Sequence, residues 1–211
     1  MNSIQDKVVR RLQRLGRGKV VTPKDFLDLG SRDATDQALH RLVSSGALIR
    51  IGRGLYHFPR VSDRLGITVP PDLDDMADAL GRQVGSRVAP SGAVAANRLG
   101  LSTQIPAVPV YLTDGRSRKV RVGKLQIQLK HVSPKQLPPG SPVSTAVFQA
   151  LQFLGRDAVD DHIVALLRDR LTLAQRHTLL RDARYASDWM AAIARRTAAG
   201  DHASDPGDLH G

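Results

Sequence analysis

Apolar residues recur at helical spacing in three segments of the first 45 residues. In residues 3–15 they fall every three or four positions after Ser3, a candidate N-cap. Thr22 and Pro23 open a second, short helix, because proline at the first helical position loses no hydrogen bond. The third segment, residues 32–45, again shows a single apolar stripe. The pattern predicts three helices in succession.

A β-hairpin is predicted directly after the third helix. Residues 47–51 and 55–58 form two short apolar runs, and the Gly-Arg-Gly sequence at 52–54 predicts the turn between them. Helix, short helix, helix and hairpin, in that order, are typical of a winged helix-turn-helix. We therefore expect a winged helix over residues 1–60.

Strand-like alternation begins near residue 106. Residues 125–132 alternate apolar and polar side chains over eight positions, and glycine-containing turns separate this run from those before it. The alternation predicts a small antiparallel sheet with one apolar face and one face of Gln, Arg and Lys.

The remaining patterns predict the domain boundaries. Residues 61–71 are punctuated by proline and glycine and predict a linker. Helical spacing returns from residue 144 and predicts a bundle of helices. The fold class is therefore expected to be α+β: a winged helix over 1–60, a mixed domain with a small sheet and a C-terminal bundle over 72–198, and a disordered tail over 199–211.

Composition narrows the class of protein. The chain has 211 residues, a formal net charge of +11, no Cys, and Asp at all 20 acidic positions. Without cysteine it has no disulfide framework and no thiol nucleophile. It contains neither the run of about 20 apolar residues that spans a membrane nor the apolar core of a signal peptide. We expect a cytoplasmic protein, away from membranes, with a polyanionic partner.

The positive charge is concentrated in two parts of the chain. Residues 1–60 have a net charge of +7 and residues 111–140 a net charge of +6, whereas 61–110 and 141–211 each have −1. A generally basic protein would show a more even spread, so the pattern indicates two localised anion-binding faces. Solvated surfaces with no partner are the alternative.

The first basic segment offers candidate contacts to double-stranded DNA. A winged helix places its third helix in the major groove and its hairpin tip against the backbone or minor groove. Thr35 and Gln37 can read base edges, and Gln has the shape to pair with adenine. The expected DNA-binding residues are Lys24, Arg32, Thr35, Gln37, His40, Arg41 and Arg53. A winged helix that serves protein contact is the alternative.

The second basic segment lies on the predicted sheet. Its candidate face consists of Arg116, Arg118, Lys119, Arg121, Lys124 and Lys130. Such a face can bind nucleic acid or an acidic protein, or it can keep a sheet edge charged against aggregation. The pattern does not separate these possibilities.

Catalytic and metal-binding residues are not expected. The acidic sequence at 72–75 is typical of a helix N-terminus, where carboxylates complement the dipole, with a magnesium site as the alternative. Ser91 lacks the strand–turn–helix context of a nucleophile elbow. The absence of Glu disfavours a nuclease, for which residues 126–130 are the single candidate string. We predict a protein that is not an enzyme and has no cofactor and no metal.

Several strings of residues resemble AbiEi-family antitoxins. Three strings look like the N-terminal winged helix of that family: residues 22–32, 38–43 and 53–56. Two strings are similar to the following segment in a compact subgroup: residues 90–104 and 111–115. One string, residues 182–190, is similar to the subgroup's C-terminal signature.

The resemblance implies an antitoxin of a type IV toxin–antitoxin system. In that family the winged helix binds inverted repeats upstream of its own operon and represses it. The C-terminal part counteracts a nucleotidyltransferase-like toxin. A stand-alone winged-helix regulator without a toxin partner is the alternative, and the sequence leaves the oligomeric state open.

Overall fold

The structure is a computed structural model that describes residues 3–137 and 139–199. The described residues form eight α-helices and small antiparallel sheets, so the predicted α+β class is confirmed. The tail predicted to be disordered falls, from residue 200 onward, outside the described residues. No helix within the described ranges is long and apolar enough to cross a membrane.

The first 60 residues contain the helices and the hairpin that the apolar pattern predicts. In chain order they are α1 (Ile4–Leu15), β1 (Val20–Val21), a 3-10 helix (Pro23–Phe26), α2 (Arg32–Ser44), β2 (Ile49–Gly52) and β3 (Leu55–His57). The three strands form one antiparallel sheet in the order β1-β3-β2.

Side-chain caps fix the ends of these helices. The Ser3 hydroxyl accepts a hydrogen bond of 3.1 Å from the Asp6 N–H, and the Asp6 carboxylate accepts one of 3.0 Å from the Ser3 N–H. The hydroxyl of Ser31 accepts from the Ala34 N–H at 3.3 Å, which begins α2. Aspartate thus completes a capping box in which glutamate is the usual acid.

Strands and one helix follow where a linker and a second domain were expected. They are β4 (Arg60–Val61), β5 (Thr68–Val69), α3 (Leu73–Val84), β6 (Val88–Pro90), β7 (Val110–Thr113), β8 (Arg118–Val122) and β9 (Leu125–His131). Residues 61–71 therefore include strand residues, because β4 and β5 pair as a short antiparallel hairpin. Strands β8 and β9 pair antiparallel, as the alternation predicts.

The chain divides into two compact units, and each combines two separate segments. The first consists of Met1–Val88 and Tyr111–Val132, the second of Ala89–Val110 and the residues from Ser133 onward. This grouping differs from the predicted boundaries at 60 and 72. The reason is a shared core in which residues of β1 and β3 pack with residues of α3 and β9: Val20, Leu55, Met76, Leu80, Ile127 and Leu129.

The first unit has a further core beneath α1 and α2. Its members come from both helices, the 3-10 helix and the segments around the hairpin, and they include Val8, Leu12, Phe26, Leu39, Leu42 and Leu48. All six are almost completely buried. This core sets which face of α2 points into the protein and which faces solvent.

The second unit is built from helices. They are α4 (Gly92–Arg98), α5 (Pro142–Leu154), α6 (Asp161–Arg170), α7 (Leu173–Asp182) and α8 (Asp188–Ala198). Their apolar side chains share one core, which includes Ala95, Val147, Leu151, Leu167, Leu179 and Ile193. Gly92 allows α4 and α5 to approach closely, since a Cβ there would lie 2.4 Å from the Cβ of Phe153.

Candidate nucleic-acid interface

Helix α2 separates a buried face from an exposed polar face. Thr35, Ala38, Leu39 and Leu42 are buried at spacings of three and four residues. The opposite face exposes four of the predicted DNA-binding residues: Arg32, Gln37, His40 and Arg41. The structure therefore leaves these four side chains of α2 exposed to solvent.

Thr35 does not belong to that surface. Its exposed fraction is 0%, and its hydroxyl oxygen is buried without a hydrogen-bond partner. The position falls on the apolar stripe with Ala38, Leu39 and Leu42, so the side chain points into the core. The prediction that Thr35 reads a base edge is wrong.

Arg32 forms an ion pair along the exposed face of α2. Its Nε lies 2.9 Å from a carboxylate oxygen of Asp36, one helical turn later, and the two side chains are 57% and 46% exposed. Exposed pairs of this kind contribute only about 0–1 kcal/mol. The guanidinium can therefore exchange Asp36 for another anion at little cost.

Arg53 lies at the tip of the β2–β3 hairpin, in a turn with Gly54. Its side chain is exposed, and Gly54 has a φ of +66°, a conformation that favours glycine. The backbone carbonyl of Arg53 accepts a hydrogen bond of 2.7 Å from the side-chain amide of Gln83 in α3. No local pattern in the sequence indicates Gln83, because its contact depends on how α3 packs.

Other cations of the first basic segment are engaged within the protein. The Arg11 guanidinium makes two hydrogen bonds of 2.6 Å to the carboxylate of Asp28. Lys19 lies 2.9 Å from a carboxylate oxygen of Asp75. Lys24, in the 3-10 helix, is exposed. Arg11 and Lys19 are thus paired with carboxylates within the protein, whereas Lys24 faces solvent.

The β8–β9 hairpin presents a basic outer face. In its register Lys119 lies opposite Gln128, and Arg121 lies opposite Gln126. Together with exposed residues at the two ends of the hairpin, they form what we call the outer face: Arg116, Lys119, Arg121, Lys124, Gln126, Gln128 and Lys130.

Arg118 lies on the opposite side of β8, with Val120. Its guanidinium donates hydrogen bonds of 2.6 Å to the Leu80 carbonyl and 3.4 Å to the side-chain oxygen of Gln83. Burial lowers the pKa of Arg118. Its assignment to the exposed basic face is wrong, because strand alternation puts it on the side of the valines.

The acidic sequence at 72–75 forms a helix N-terminus. The Asp72 carboxylate accepts hydrogen bonds of 2.8 Å and 3.2 Å from the backbone N–H groups of Asp74 and Asp75. The helix-capping interpretation is confirmed. Ser91 precedes α4, and its backbone N–H donates a hydrogen bond of 3.0 Å to the Val110 carbonyl.

Comparison with known proteins identifies a family. The model for "Family of unknown function (DUF6088)" matches residues 7–179. The chain therefore belongs to this family, and the match includes residues of both compact units. No curated protein matches the chain.

Proposed function

We propose that this chain is a winged-helix, DNA-binding transcriptional repressor of its own promoter. The observation that carries the proposal is the polar face of α2. Arg32, Gln37, His40 and Arg41 are exposed there, whereas the apolar stripe of the same helix is buried. Further support comes from the order of α1, β1, 3-10 helix, α2 and hairpin, and from the strand order β1-β3-β2.

Four exposed residues have a role in this proposal. α2 lies in the major groove, where Gln37 pairs with adenine and Arg41 with guanine or phosphate. The β2–β3 hairpin is the wing, and Arg53 at its tip contacts a phosphate or the minor groove. Lys24 neutralises a phosphate. Thr35 takes no part, because it is buried.

The resemblance to AbiEi-family antitoxins extends the proposal. In this reading the repressor is also the antitoxin of a type IV toxin–antitoxin system in the cytoplasm, and it counteracts a nucleotidyltransferase-like toxin. A stand-alone regulator on the same scaffold is the second candidate. Neither function uses a catalytic residue, a metal or a cofactor.

A gel shift with the chain's own upstream region tests DNA binding. Gln37→Ala, Arg41→Ala and Arg53→Ala should each weaken specific binding, with a cost of about 1–3 kcal/mol where a bidentate base contact is lost. Arg156→Ala, an exposed arginine of the second unit, is the control with the same change in charge. Unchanged specific affinity in all three variants would show that α2 and the wing do not contact the operator.

Co-expression with an adjacent nucleotidyltransferase-like toxin tests the antitoxin function. Lys119→Asp with Arg121→Asp reverses two charges of the outer face. Weaker DNA binding with a smaller salt dependence assigns this face to phosphate contacts. Unchanged DNA binding together with lost neutralisation of the toxin assigns it to antitoxin activity.

A further inference from the structure

The tip of the β2–β3 hairpin is held by a residue that is distant in sequence. The side-chain nitrogen of Gln83, in the last turn of α3, donates a hydrogen bond of 2.7 Å to the Arg53 carbonyl. The side-chain oxygen of Gln83 accepts one of 3.4 Å from the guanidinium of Arg118, at the start of β8. One amide therefore joins the hairpin tip to a helix and to a second hairpin.

The turn at this tip does not belong to the two-residue types whose twist matches that of the flanking strands. Two-residue hairpin turns whose twist matches their strands need a positive φ at the first central residue. Among the described residues only glycines have a positive φ, so Arg53 does not meet this requirement, whereas Gly54 has a φ of +66°. The pairing of β2 with β3 is also irregular between Arg50 and Gly52.

Gln83 closes tightly over the turn. A Cβ at Gly54 would lie 2.7 Å from the Nε2 of Gln83, so a side chain there would displace this amide from its present position. Glycine is thus needed here both for its backbone conformation and for the close approach of Gln83.

The helix that carries Gln83 is itself fixed to the first 60 residues. Arg82, the preceding residue, donates a hydrogen bond of 2.9 Å to the Val20 carbonyl and forms an ion pair of 2.9 Å with Asp25. Leu80, one turn earlier, is buried in the same core as Val20. Gln83 therefore extends from a support that is anchored on the sheet to which the hairpin belongs.

We propose that Gln83 is a positioning residue for the wing. By holding the Arg53 carbonyl it fixes the hairpin tip, and so determines where the Arg53 side chain meets the duplex. Gln83 acts through Arg53 and does not itself contact DNA. This inference rests on the proposed function as a DNA-binding repressor.

Two substitutions separate the contacts of Gln83. Gln83→Glu keeps an acceptor for Arg118 but cannot donate to the Arg53 carbonyl, and Gln83→Ala removes both contacts. In the free full-length protein, both variants should speed hydrogen exchange at the amides of residues 52–55 and leave the α1 amides unchanged. Unchanged hydrogen exchange at residues 52–55 would show that Gln83 does not hold the hairpin tip.

The affinity for the upstream duplex should fall about 3- to 10-fold in both variants, the range for one neutral hydrogen bond. A loss with Gln83→Glu but none with Gln83→Ala would overturn the proposal, because the added negative charge would then explain it.

A double-mutant cycle with Arg53→Ala tests whether Gln83 acts through Arg53. In the Arg53→Ala background, Gln83→Glu should change affinity less than about twofold, since the positioned side chain is already absent. A loss as large as in the wild-type background would overturn the positioning role. A wild-type protein that does not bind its upstream duplex would overturn the proposed function, and with it the role of Gln83 toward DNA. Hydrogen exchange in the free protein tests separately whether Gln83 holds the hairpin tip.

Discussion

The carboxylate of Asp182, at the end of α7, accepts a hydrogen bond of 2.8 Å from the backbone N–H of Ser141, the N-cap of α5. Asp182 is 6% exposed. Burial raises the pKa of Asp182, but the hydrogen bonds from Ser141 and Ser144 outweigh that effect, and the pKa lies below the ordinary value of the carboxyl. One side chain thus ties the end of one helix to the start of another within the second unit.

Asp182→Ala should destabilise the second unit by about 1–3 kcal/mol, because it leaves the Ser141 N–H without its acceptor. Trp189, the single tryptophan, packs against the core of this unit, so its fluorescence during urea unfolding measures the loss. Asp188→Ala, an exposed aspartate near the start of α8, is the control. Equal stability of the two variants would contradict the role of Asp182.

The stability of the second unit should also depend on pH through Asp182. Because the folded pKa is lowered, the stabilisation is fully present above the unfolded pKa of about 3.9 and is lost as the pH falls through the folded pKa. Urea unfolding between about pH 2 and 6 should show this decline. Asp182→Asn should flatten it, and an identical slope in that variant would show that another carboxyl is responsible.

Gly92→Ala should destabilise the second unit, although helix propensity alone predicts the opposite. Alanine inside a helix is favoured over glycine by about 1 kcal/mol, and the first position of α4, which Gly92 occupies, shows only part of this preference. At Gly92, however, a Cβ would lie 2.6 Å from the Gln149 carbonyl oxygen as well as against Phe153. We expect a net loss of about 1–3 kcal/mol, as for other overpacked sites. A gain in stability by Trp189 fluorescence would show that α4 and α5 separate easily.

Thr35→Val should stabilise the first unit by about 1 kcal/mol, because it replaces a buried hydroxyl that has no partner with a methyl group of similar size. Thermal unfolding followed by circular dichroism measures the change. Specific DNA affinity should stay within about twofold of the wild type, since Thr35 does not reach the surface. A marked fall in affinity would mean that Thr35 does contact a base.

Arg118→Ala and Lys119→Ala should separate stability from binding. Arg118→Ala removes the partly buried guanidinium and its hydrogen bond to the Leu80 carbonyl, and should lower the stability of the first unit by about 1–3 kcal/mol. Lys119→Ala, on the outer face, should change stability by less than about 0.5 kcal/mol. Thermal unfolding of both variants checks this difference, and equal losses would contradict the assignment of the two faces.

Much of the secondary structure follows from local sequence. The apolar stripes of α1 and α2, the caps at Ser3 and Ser31 and the glycine-flanked turn at Arg53 act within a few residues. Because each signal is local, the sequence alone predicts these elements, along with the alternation of β9.

The sequence does not predict contacts that depend on tertiary packing. Thr35 has a polar side chain, which favoured the prediction of an exposed position. Its place on the apolar stripe of α2 instead puts it in the core. Arg118 likewise has the charge of a surface residue but shares its side of β8 with the valines. The contact of Gln83 with Arg53, 30 positions apart, exists only because α3 packs with β1 and β3 in one core.

The interleaving of the two compact units has a consequence for synthesis on the ribosome. The first unit needs Tyr111–Val132 to complete its core, and the second begins at Ala89, before that segment is made. Val20 and Leu55 cannot gain Ile127 and Leu129 as neighbours until more than half of the chain has emerged. A nascent chain that stops near residue 88 therefore has part of its apolar surface uncovered, which exposes it to chaperones and proteases.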